Sequence, residues 1–410
     1  LVAFGLPIFI LLASLAIFFF LSEPTDWATN YDLISTISDS AYRIVVSPTL
    51  AAIPIFTLAG YILAESNISD RLIKFFKSSL GWLPGSTVLI VVILCAFFTA
   101  LTGGSGVTIL ALGAILYPIL VHDGYSKRFS LGIITTAGSL GLLFPPSLPA
   151  IIYSVTAGIN PLELFRQALI PAIFLMSIMF FYGLYMLPKN KKIEKFNFKN
   201  AYNSAKIAKW EIAIPVLIIL SLFSGFATLV ESAALLVLYV LTVELYIFKD
   251  VSLKDLPKII IDCSTLVGGV LIILGFAMGF TGYLVDAQIP LKILNFVQNT
   301  ISSKIIFLLA LNILLLIIGC LMDVFSAIIV VVPLIAPLAA YFGIDPFHLA
   351  IIFIANLELG YITPPVGMNL YLSSYRFNKD MPTIYSATLP FFFIRLIGVL
   401  IITYIPLFFY

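Results

Sequence analysis

The sequence predicts an all-α polytopic membrane protein made of two inverted halves, each carrying a re-entrant hairpin and a broken helix. Composition, apolar runs and an internal repeat support this fold class. Of the 410 residues, 61% are hydrophobic and only 10% are charged, at a mean hydropathy of +1.13, which exceeds what a soluble core needs. Runs such as residues 88–94 are apolar on every side, so they predict helices rather than the alternating strands of a membrane barrel.

An internal repeat is the most informative feature of the sequence. Residues 102–154 align on residues 321–373 at a constant offset of 219 without a gap, and nine positions are identical. Five of these identities are proline or glycine, the residues that decide where a helix can continue. The resulting division of the chain is a first span and outer loop in residues 1–42, repeat 1 in 43–187, a basic cytoplasmic loop with connecting spans in 188–257, and repeat 2 in 258–410.

Each repeat contains two short apolar arms where an ordinary span would be expected. An arm of about 15 residues reaches only ~22 Å into a hydrocarbon core of ~30 Å, so paired arms fit a hairpin that enters and leaves on one face. The first re-entrant hairpin is predicted over residues 87–121, with a glycine-rich tip at 102–106. The second is predicted over residues 305–342, with its tip at 320–326 and its outgoing arm beginning at residue 328.

A long segment with a double proline follows each hairpin. The two segments are residues 127–158, which contain Pro145 and Pro146, and residues 346–377, which contain Pro364 and Pro365. Two consecutive prolines remove two amide donors and clash with the preceding turn, so an intact helix cannot pass through them. Both segments are therefore predicted to be broken helices near the middle of the membrane.

Loop charges predict the orientation of the two repeats. Residues 189–209 carry seven lysines against one glutamate, which places this loop in the cytoplasm by the positive-inside rule. With the hairpins taken as non-crossing, the base of the first hairpin then faces inward and that of the second outward. Inverted repeats with broken helices are typical of alternating-access transport. The nine predicted crossing spans are residues 1–22, 43–65, 127–158, 163–187, 208–224, 227–248, 258–285, 346–377 and 384–410.

The helix breaks also predict where a ligand would bind. The carbonyl oxygens at the end of a half-helix carry partial negative charge and suit a small dehydrated cation, and oxygen donors suit sodium better than a transition metal. We expect the hairpin tip and the break of the same repeat to meet, which predicts two sodium sites. The first comprises Gly103, Gly104, Ser105, Gly106, Gly138, Ser139 and Pro145; the second comprises Asp323, Ser326, Gly360, Thr363, Pro365 and Asn369.

Several of these residues also have a purely structural interpretation. Asp323 stands where the outgoing arm needs an N-cap, although an aspartate inside the membrane is also a functional candidate. Ser105 is a second candidate cap. Glu358 would either line an aqueous cavity or pair with a neighbouring group. Glu231 follows Thr228 by three residues, the spacing of a capping box.

Other polar and sulfur-containing residues are interpreted structurally. His122 and His348 lack a cysteine or carboxylate at metal-ligand spacing, so they predict loop or core positions. Cys95, Cys263 and Cys320 lie in apolar segments and are interpreted as small buried hydrophobes. Residues 69–80 have an apolar stripe and three basic residues, Arg71, Lys74 and Lys77, which predicts an amphipathic helix at the cytoplasmic surface.

These motifs resemble those of the large membrane subunit of the tripartite ATP-independent periplasmic (TRAP) transporters, the dicarboxylate and sialic-acid type. The resemblance covers nearly the whole chain. It departs at residues 228–232, where the family usually has Thr-Pro-Thr-Glu-Ala, and at Glu358, where an uncharged residue is expected. The motifs that carry it are residues 102–106, 138–147, 333–337, 343–346 and 363–369.

The resemblance implies an elevator-type secondary transporter in a bacterial cytoplasmic (inner) membrane, with the hairpins and broken helices forming the mobile part. It implies sodium-driven uptake of an organic acid of the sialic acid or C4-dicarboxylate class. A periplasmic substrate-binding protein would deliver the substrate, and a small membrane subunit would buttress the scaffold. The substrate is expected between the hairpin tips, near Ser105, Pro146, Glu358 and Asn369, with co-transported sodium ions on either side.

Three other functions are weighed against this one. A stand-alone sodium symporter for dicarboxylates or citrate would have similar inverted hairpins, but it predicts a Ser-Asn-Thr type of tip, which residues 102–106 lack. A diaspartyl membrane protease built on Asp323 would need a second facing aspartate and a Gly-x-Gly-Asp motif, so the chain is predicted not to be an enzyme. An ion channel would need an oligomeric pore. The net charge of +2 argues against nucleic-acid binding.

Overall fold

Helices account for all the regular structure in the described part of the chain. The computed structural model describes residues 8–22, 35, 38–39, 42, 47–188 and 196–408. Residues 1–7 of the predicted first span, most of the predicted outer loop and residues 189–195 of the basic loop lie outside these residues. The helical part of the predicted fold class is confirmed.

The first half of the chain runs from a single span through a hairpin to a broken helix. Its hairpin consists of α4 and α5, and its broken helix consists of α6 and α7, with a 3₁₀ turn at Leu140–Leu143 between them. The helices are α1 (Ile8–Ser22), α2 (Pro48–Ala64), α3 (Ile68–Leu80), α4 (Ser86–Thr102), α5 (Ser105–His122), α6 (Lys127–Ala137), α7 (Leu148–Ala157) and α8 (Pro161–Tyr185).

The second half repeats this order after three connecting helices. Its hairpin consists of α14 and α15, and its broken helix consists of α16 and α17. The helices are α9 (Phe198–Ile207), α10 (Lys209–Phe223), α11 (Leu229–Leu241, continued by a π-helical stretch at Thr242–Ile247), α12 (Leu256–Asp286), α13 (Ile289–Thr300), α14 (Lys304–Leu321), α15 (Val324–Tyr341), α16 (Pro346–Gly360), α17 (Met368–Phe377) and α18 (Met381–Tyr404).

Helix by helix, α2–α8 correspond to α12–α18. Matched capping residues start the broken helices: Ser126 accepts a hydrogen bond from the amide of Phe129, and Asp345, at the offset of 219, accepts from the amides of Phe347 and His348. The short helix α13 is the counterpart of the predicted amphipathic helix α3. Sequence reasoning missed α13, and it also missed α9, which lies in the predicted basic loop.

Helices of each half pack against helices of the other half throughout the fold. In the outer part, α1 packs on α12 and α11 packs on α2. In the inner part, the outgoing hairpin arm α5 packs on α17, and α15 packs on α7. Each hairpin therefore lies between the break of its own repeat and the second half-helix of the other repeat.

The hairpin tips are shorter than predicted. Gly103 has a left-handed φ of +70° and Gly104 is extended, so two residues make the first turn. The second tip is Met322 and Asp323, which corrects the seven-residue tip predicted at 320–326. Its outgoing arm begins at Val324 rather than residue 328, because the Asp323 carboxylate accepts hydrogen bonds from the amides of Phe325 and Ser326 and caps the helix there.

Both double prolines interrupt their helices as predicted. The peptide bonds Pro145–Pro146 and Pro364–Pro365 are cis, and the two parts of the first broken helix meet at a bend of 44°. Among the described residues, seven helices are long and apolar enough to cross a membrane, or nine if each of two bent pairs counts as one span. These seven include α5, α14 and α15, whose 18 residues exceed the predicted arm length. The predicted set of nine crossings stays a prediction.

Candidate functional site

The first hairpin tip and the first helix break lie against each other. The hydroxyl of Thr99 on α4 donates to the carbonyl oxygen of Gly138 at 2.6 Å and lies 2.6 Å from the hydroxyl of Thr108 on α5. A Cβ atom on Gly141 would lie 2.5 Å from the amide nitrogen of Ala100, so the close approach of break and hairpin requires glycine there.

The second tip and break repeat this contact. A Cβ atom on Gly360 would lie 2.6 Å from the Cα atom of Gly319, at the position equivalent to the contact of Gly141 with Ala100. The amide of Gly367 donates to the carbonyl oxygen of Cys320 at 3.2 Å. The hydroxyl of Tyr361 accepts from the amide of Val324 at 2.7 Å. The predicted meeting of tip and break within each repeat is therefore present in both halves.

A buried polar network joins the two halves. The Ser105 hydroxyl donates to the side-chain carbonyl of Asn369 at 2.6 Å, and the Asn369 amide donates to the carbonyl oxygen of Thr135 at 3.1 Å. The Thr135 hydroxyl in turn donates to that of Ser373 at 2.8 Å. Ser105 therefore lies inside the network instead of capping α5, so its interpretation as a cap is wrong. The structure brings together residues that the sequence assigned to separate sodium sites.

Ser139 and Glu358 mark the pseudo-two-fold axis. They are 219 positions apart, the offset of the repeat, and the hydroxyl of Ser139 donates to the backbone carbonyl of Glu358 at 3.5 Å. Equivalent residues touch each other only where a two-fold axis passes between them. The first break and the end of α16 thus meet at the centre of the protein.

A fully buried ion pair lies at this centre. Glu358 and Arg395 of α18 have no exposed surface, and their side chains form a salt bridge. Arg395 also donates to the Ser139 hydroxyl at 3.2 Å and to the carbonyl oxygen of Thr136 at 3.5 Å. Of the two interpretations of Glu358, pairing with a neighbour is confirmed. Sequence reasoning missed Arg395, although an arginine in the middle of an apolar span was a signal for it.

The other residues of the second predicted sodium site lie partly at its tip and partly at its break. The Asp323 carboxylate also accepts from the Ser326 hydroxyl, and the Thr363 hydroxyl donates to the carbonyl oxygen of Leu359 at 2.8 Å. The carbonyl oxygen of Pro365 accepts from the hydroxyl of Tyr385 on α18 at 2.6 Å. The cap interpretation of Asp323 is confirmed, and its carboxylate stands at the junction of tip and break.

The structural interpretations of the other residues hold. Thr228 and Glu231 form the capping box at the start of α11. Nitrogen Nε2 of His348 lies 3.0 Å from the carbonyl oxygen of Ile402, and the His122 side chain is exposed beside Asp123. The three cysteines, Cys95, Cys263 and Cys320, are all buried and unbridged.

The architecture matches that of a solved membrane protein. The structure resembles the crystal structure of the YdaH transporter of Alcanivorax borkumensis, with a TM-score of 0.65 over 97% of this chain and 96% of that one. The two sequences are 13% identical, so this likeness concerns the fold.

The chain belongs to the family described as the tripartite ATP-independent periplasmic transporter, DctM component, whose family model matches residues 1–408. A similar protein is the C4-dicarboxylate TRAP transporter large permease protein DctM of Pseudomonas aeruginosa, which is 34% identical over 87% of this chain and 84% of that protein. The isethionate TRAP transporter permease protein DctMQ of Oleidesulfovibrio alaskensis is 30% identical over 91% of this chain, which spans 59% of that longer protein. The chain is thus a TRAP large permease and not an enzyme.

Proposed function

We propose that this permease takes up an organic acid by sodium-coupled secondary transport across a bacterial inner membrane. The observation that carries the proposal is that each hairpin tip meets the break of its own repeat and that the Ser105–Asn369 hydrogen bond joins the two halves. Half-helices that end inside a membrane expose carbonyl oxygens in one direction and amides in the other, which suits a cation beside an anionic substrate.

Sodium would bind at the two tip-and-break contacts. At the first, the donors would come from the tip residues 103–106 and from the carbonyl oxygens around Gly138 and Ser139. At the second, Asp323 supplies a full negative charge, and the hydroxyls of Ser326 and Thr363 supply neutral oxygens. These are hard oxygen donors of the kind that small dehydrated cations prefer.

The substrate would bind between the two sodium sites, next to Ser105, Asn369 and Pro146. Glu358 contributes differently from the prediction, because its carboxylate is occupied by Arg395 and is not free to line the substrate cavity. The relatives named for C4-dicarboxylate and isethionate transport support a small anion with a carboxylate or sulfonate group. Sialic acid, a larger carboxylate, is a further candidate substrate to be tested in the uptake experiment described below.

An elevator motion would carry the site across the membrane. The moving body would comprise the hairpins α4–α5 and α14–α15 with the broken helices, and the scaffold would comprise α1, α2, α11 and α12, which pack on one another. Gly60 of α2 lies directly against the backbone of Leu101 and Thr102 at the first tip. The absence of a side chain at Gly60 leaves this boundary smooth enough for sliding. A disulfide placed between α2 and α4 should therefore stop uptake, and its reduction should restore it.

The partners would be a periplasmic substrate-binding protein and a small membrane subunit. The name DctMQ, given to a relative that is longer than this chain, supports the second partner. The proposal predicts that the chain without these two partners performs no uptake, even when a substrate gradient is present.

The test is uptake of labelled succinate, isethionate and sialic acid into proteoliposomes containing the permease and its small subunit. We expect uptake of at least one substrate to require both an inward sodium gradient and the cognate binding protein. Uptake by the chain alone would favour the stand-alone symporter, and uptake that is indifferent to sodium would refute the coupling ion.

A matched pair of threonine variants tests the sodium sites. Thr363→Val should raise the sodium concentration needed for half-maximal uptake. Thr265→Val removes the same type of helix hydroxyl, which donates to the carbonyl oxygen four residues earlier, on scaffold helix α12, and should leave sodium dependence unchanged. A bulky residue at Ser105 provides the corresponding test at the first site. Unchanged sodium dependence at both Thr363 and Ser105 would mean that the sites lie elsewhere.

A further inference from the structure

A second charge cluster, whose residues belong to none of the tip-and-break contacts, lies on the side that loop charges predict to be cytoplasmic. Arg71 of α3 is its centre. The guanidinium forms salt bridges with Asp250 at 2.6 Å, with Glu244 at 3.5 Å and with Glu211, and it lies 3.8 Å from the centroid of the Phe248 ring. Arg71 is therefore not the solvent-facing basic residue that the amphipathic pattern predicted.

The charges of this cluster do not balance. One guanidinium faces three carboxylates, which leaves two negative charges in excess if all three are ionised. Glu211 and Glu244 have no exposed surface, so water does not screen them. Burying an uncompensated carboxylate is strongly unfavourable.

Glu244 is the least compensated of the three. Its oxygen Oε2 has only the 3.5 Å contact with Arg71, and its oxygen Oε1 is buried without a hydrogen-bond partner in the described part of the chain. Asp250 also accepts from the amide of Asn67, and the backbone amide of Glu211 lies near its own carboxylate. Glu244 faces the guanidinium of Arg71 and, in addition, the negative charges of Asp250 and Glu211.

In the described part of the chain, Arg71 is the only cation that forms an ion pair within the cluster. Helix α11 contributes Tyr239, whose hydroxyl donates to the carbonyl oxygen of Trp210. Among the described residues, no ion pair joins a lysine to the cluster, and no three acidic, histidine or cysteine side chains are arranged to hold a metal ion. The charged side chains nearest in sequence to the cluster are Asp70, Lys74, Lys206, Lys209, Lys249, Lys254 and Asp255.

We propose that Glu244 is a proton-binding site, and that protonation of Glu244 stabilises the packing of α3 against α10 and α11. A proton removes one of the two excess charges and converts an acceptor-only carboxylate into a hydrogen-bond donor. Glu244 lies in the π-helical stretch Thr242–Ile247, and π-helical turns often occur at functional sites because they redirect a side chain. Lys249, two residues beyond the stretch, has a left-handed φ of +59°.

The site makes the attachment of α3 depend on pH. When the pH rises and Glu244 loses its proton, repulsion among the three carboxylates weakens the hold of Arg71, and α3 loosens. Because α3 leads directly into hairpin arm α4, loosening of α3 would also affect the position of the first hairpin. This pH dependence arises within the cluster and does not require the proposed sodium coupling.

Hydrogen–deuterium exchange of the full-length protein in lipid nanodiscs tests the proposal. Protection of residues 68–80, corrected for intrinsic exchange, should be lower at about pH 8 than at about pH 6, because burial disfavours the ionised form of a carboxylate. Since the local opening of α3 is linked to the loss of one proton, the protection factor should fall at most about tenfold per pH unit. Glu244→Gln mimics the protonated form and should keep α3 protected at both pH values.

Two further variants serve as controls. Glu231→Gln changes an exposed glutamate at the other end of α11 and should respond to pH as the unmodified protein does. Asp250→Asn weakens one of the three ion pairs of Arg71 and should lower protection at both pH values. Protection that is the same at both pH values in the unmodified protein would overturn the proposal. A Glu244→Gln protein that keeps the full pH response would also overturn it. Infrared spectroscopy of the unmodified protein adds a test without mutation, because a protonated-carboxyl band should disappear as the pH rises, and its absence at low pH would refute the site.

Discussion

Replacing Arg395 with methionine should strongly destabilise the protein, because it leaves the Glu358 carboxylate buried without its counter-charge. Arg395 donates to Glu358 and to the Ser139 hydroxyl at 3.2 Å, and both charged side chains are fully buried. Removing one partner of such a pair costs about 3–5 kcal/mol. Methionine keeps the apolar stem, so the loss reports the charge and its hydrogen bonds.

The loss converts into a measurable shift of the unfolding temperature. An unfolding entropy of about 2.1 cal/mol/K per residue, over 410 residues, gives roughly 0.9 kcal/mol/K. A loss of about 3–5 kcal/mol then lowers Tm by about 3–6 °C. Glu358→Leu, which leaves the arginine unpaired, should lower Tm by a similar amount.

The double variant Glu358→Leu/Arg395→Met shows whether the two single losses come from one shared interaction. Two independent losses would sum to about 6–10 kcal/mol, whereas apolar replacement of a whole buried pair is often close to neutral. We therefore expect the double variant to lie within about 2 kcal/mol of the unmodified protein. Thermal unfolding in one detergent, followed by tryptophan fluorescence, provides the comparison. A double variant as unstable as the sum of the singles would refute the coupling inferred between these side chains.

Three further predictions concern stability. Asp323→Ala should lower stability by about 1 kcal/mol through loss of the cap on α15. Asp323→Asn should lose less stability than Asp323→Ala while still impairing sodium-dependent uptake. Equal losses of thermal stability in the two variants would contradict the capping role. Gly141→Ala should cost about 1–3 kcal/mol, because its Cβ atom would lie 2.5 Å from the Ala100 amide nitrogen. Gly282→Ala, with nothing within 4 Å, should be neutral or stabilising, and equal denaturation of both alanine variants would refute the packing argument. Burial acts to raise the pKa of Asp250, but hydrogen bonds from Arg71 and Asn67 outweigh it and hold the pKa below its ordinary value. The stability that this carboxylate contributes is therefore present above its ordinary pKa and is lost as the pH falls through the folded value. Acid titration of Tm should show this loss in the unmodified protein and a smaller one in Asp250→Asn.

The proposed proton site acts in a different pH range from Asp250. Loss of the Asp250 charge weakens the Arg71 cluster in acid, whereas loss of the Glu244 proton weakens it as the pH rises. The two effects have opposite signs, so the attachment of α3 should be strongest at an intermediate pH. A single monotonic pH profile would be inconsistent with the two carboxylates acting separately.

Some features that sequence reasoning missed were nevertheless encoded locally. Asp323 already had the position of an N-cap, and giving the cap precedence would have started α15 at Val324 and shortened the tip. The helix α13 follows from the repeat, since α3 occupies the matching place in the first half. Arg395 was a charged residue inside an apolar span, although its partner was not identifiable from the span itself.

The sequence by itself determined the helical class, the two repeats and the positions of both breaks. These depend on properties that act within a few residues: apolar runs long enough for a bilayer, matched glycines and prolines, and capping side chains. Tertiary structure alone decided that Ser105 bonds to Asn369, that Glu358 pairs with Arg395 and that Arg71 gathers three carboxylates. The partners in these contacts are between 37 and 264 positions apart. Which polar groups meet in a buried interior depends on how whole helices pack, because each buried charge must find its counterpart in space and not in sequence.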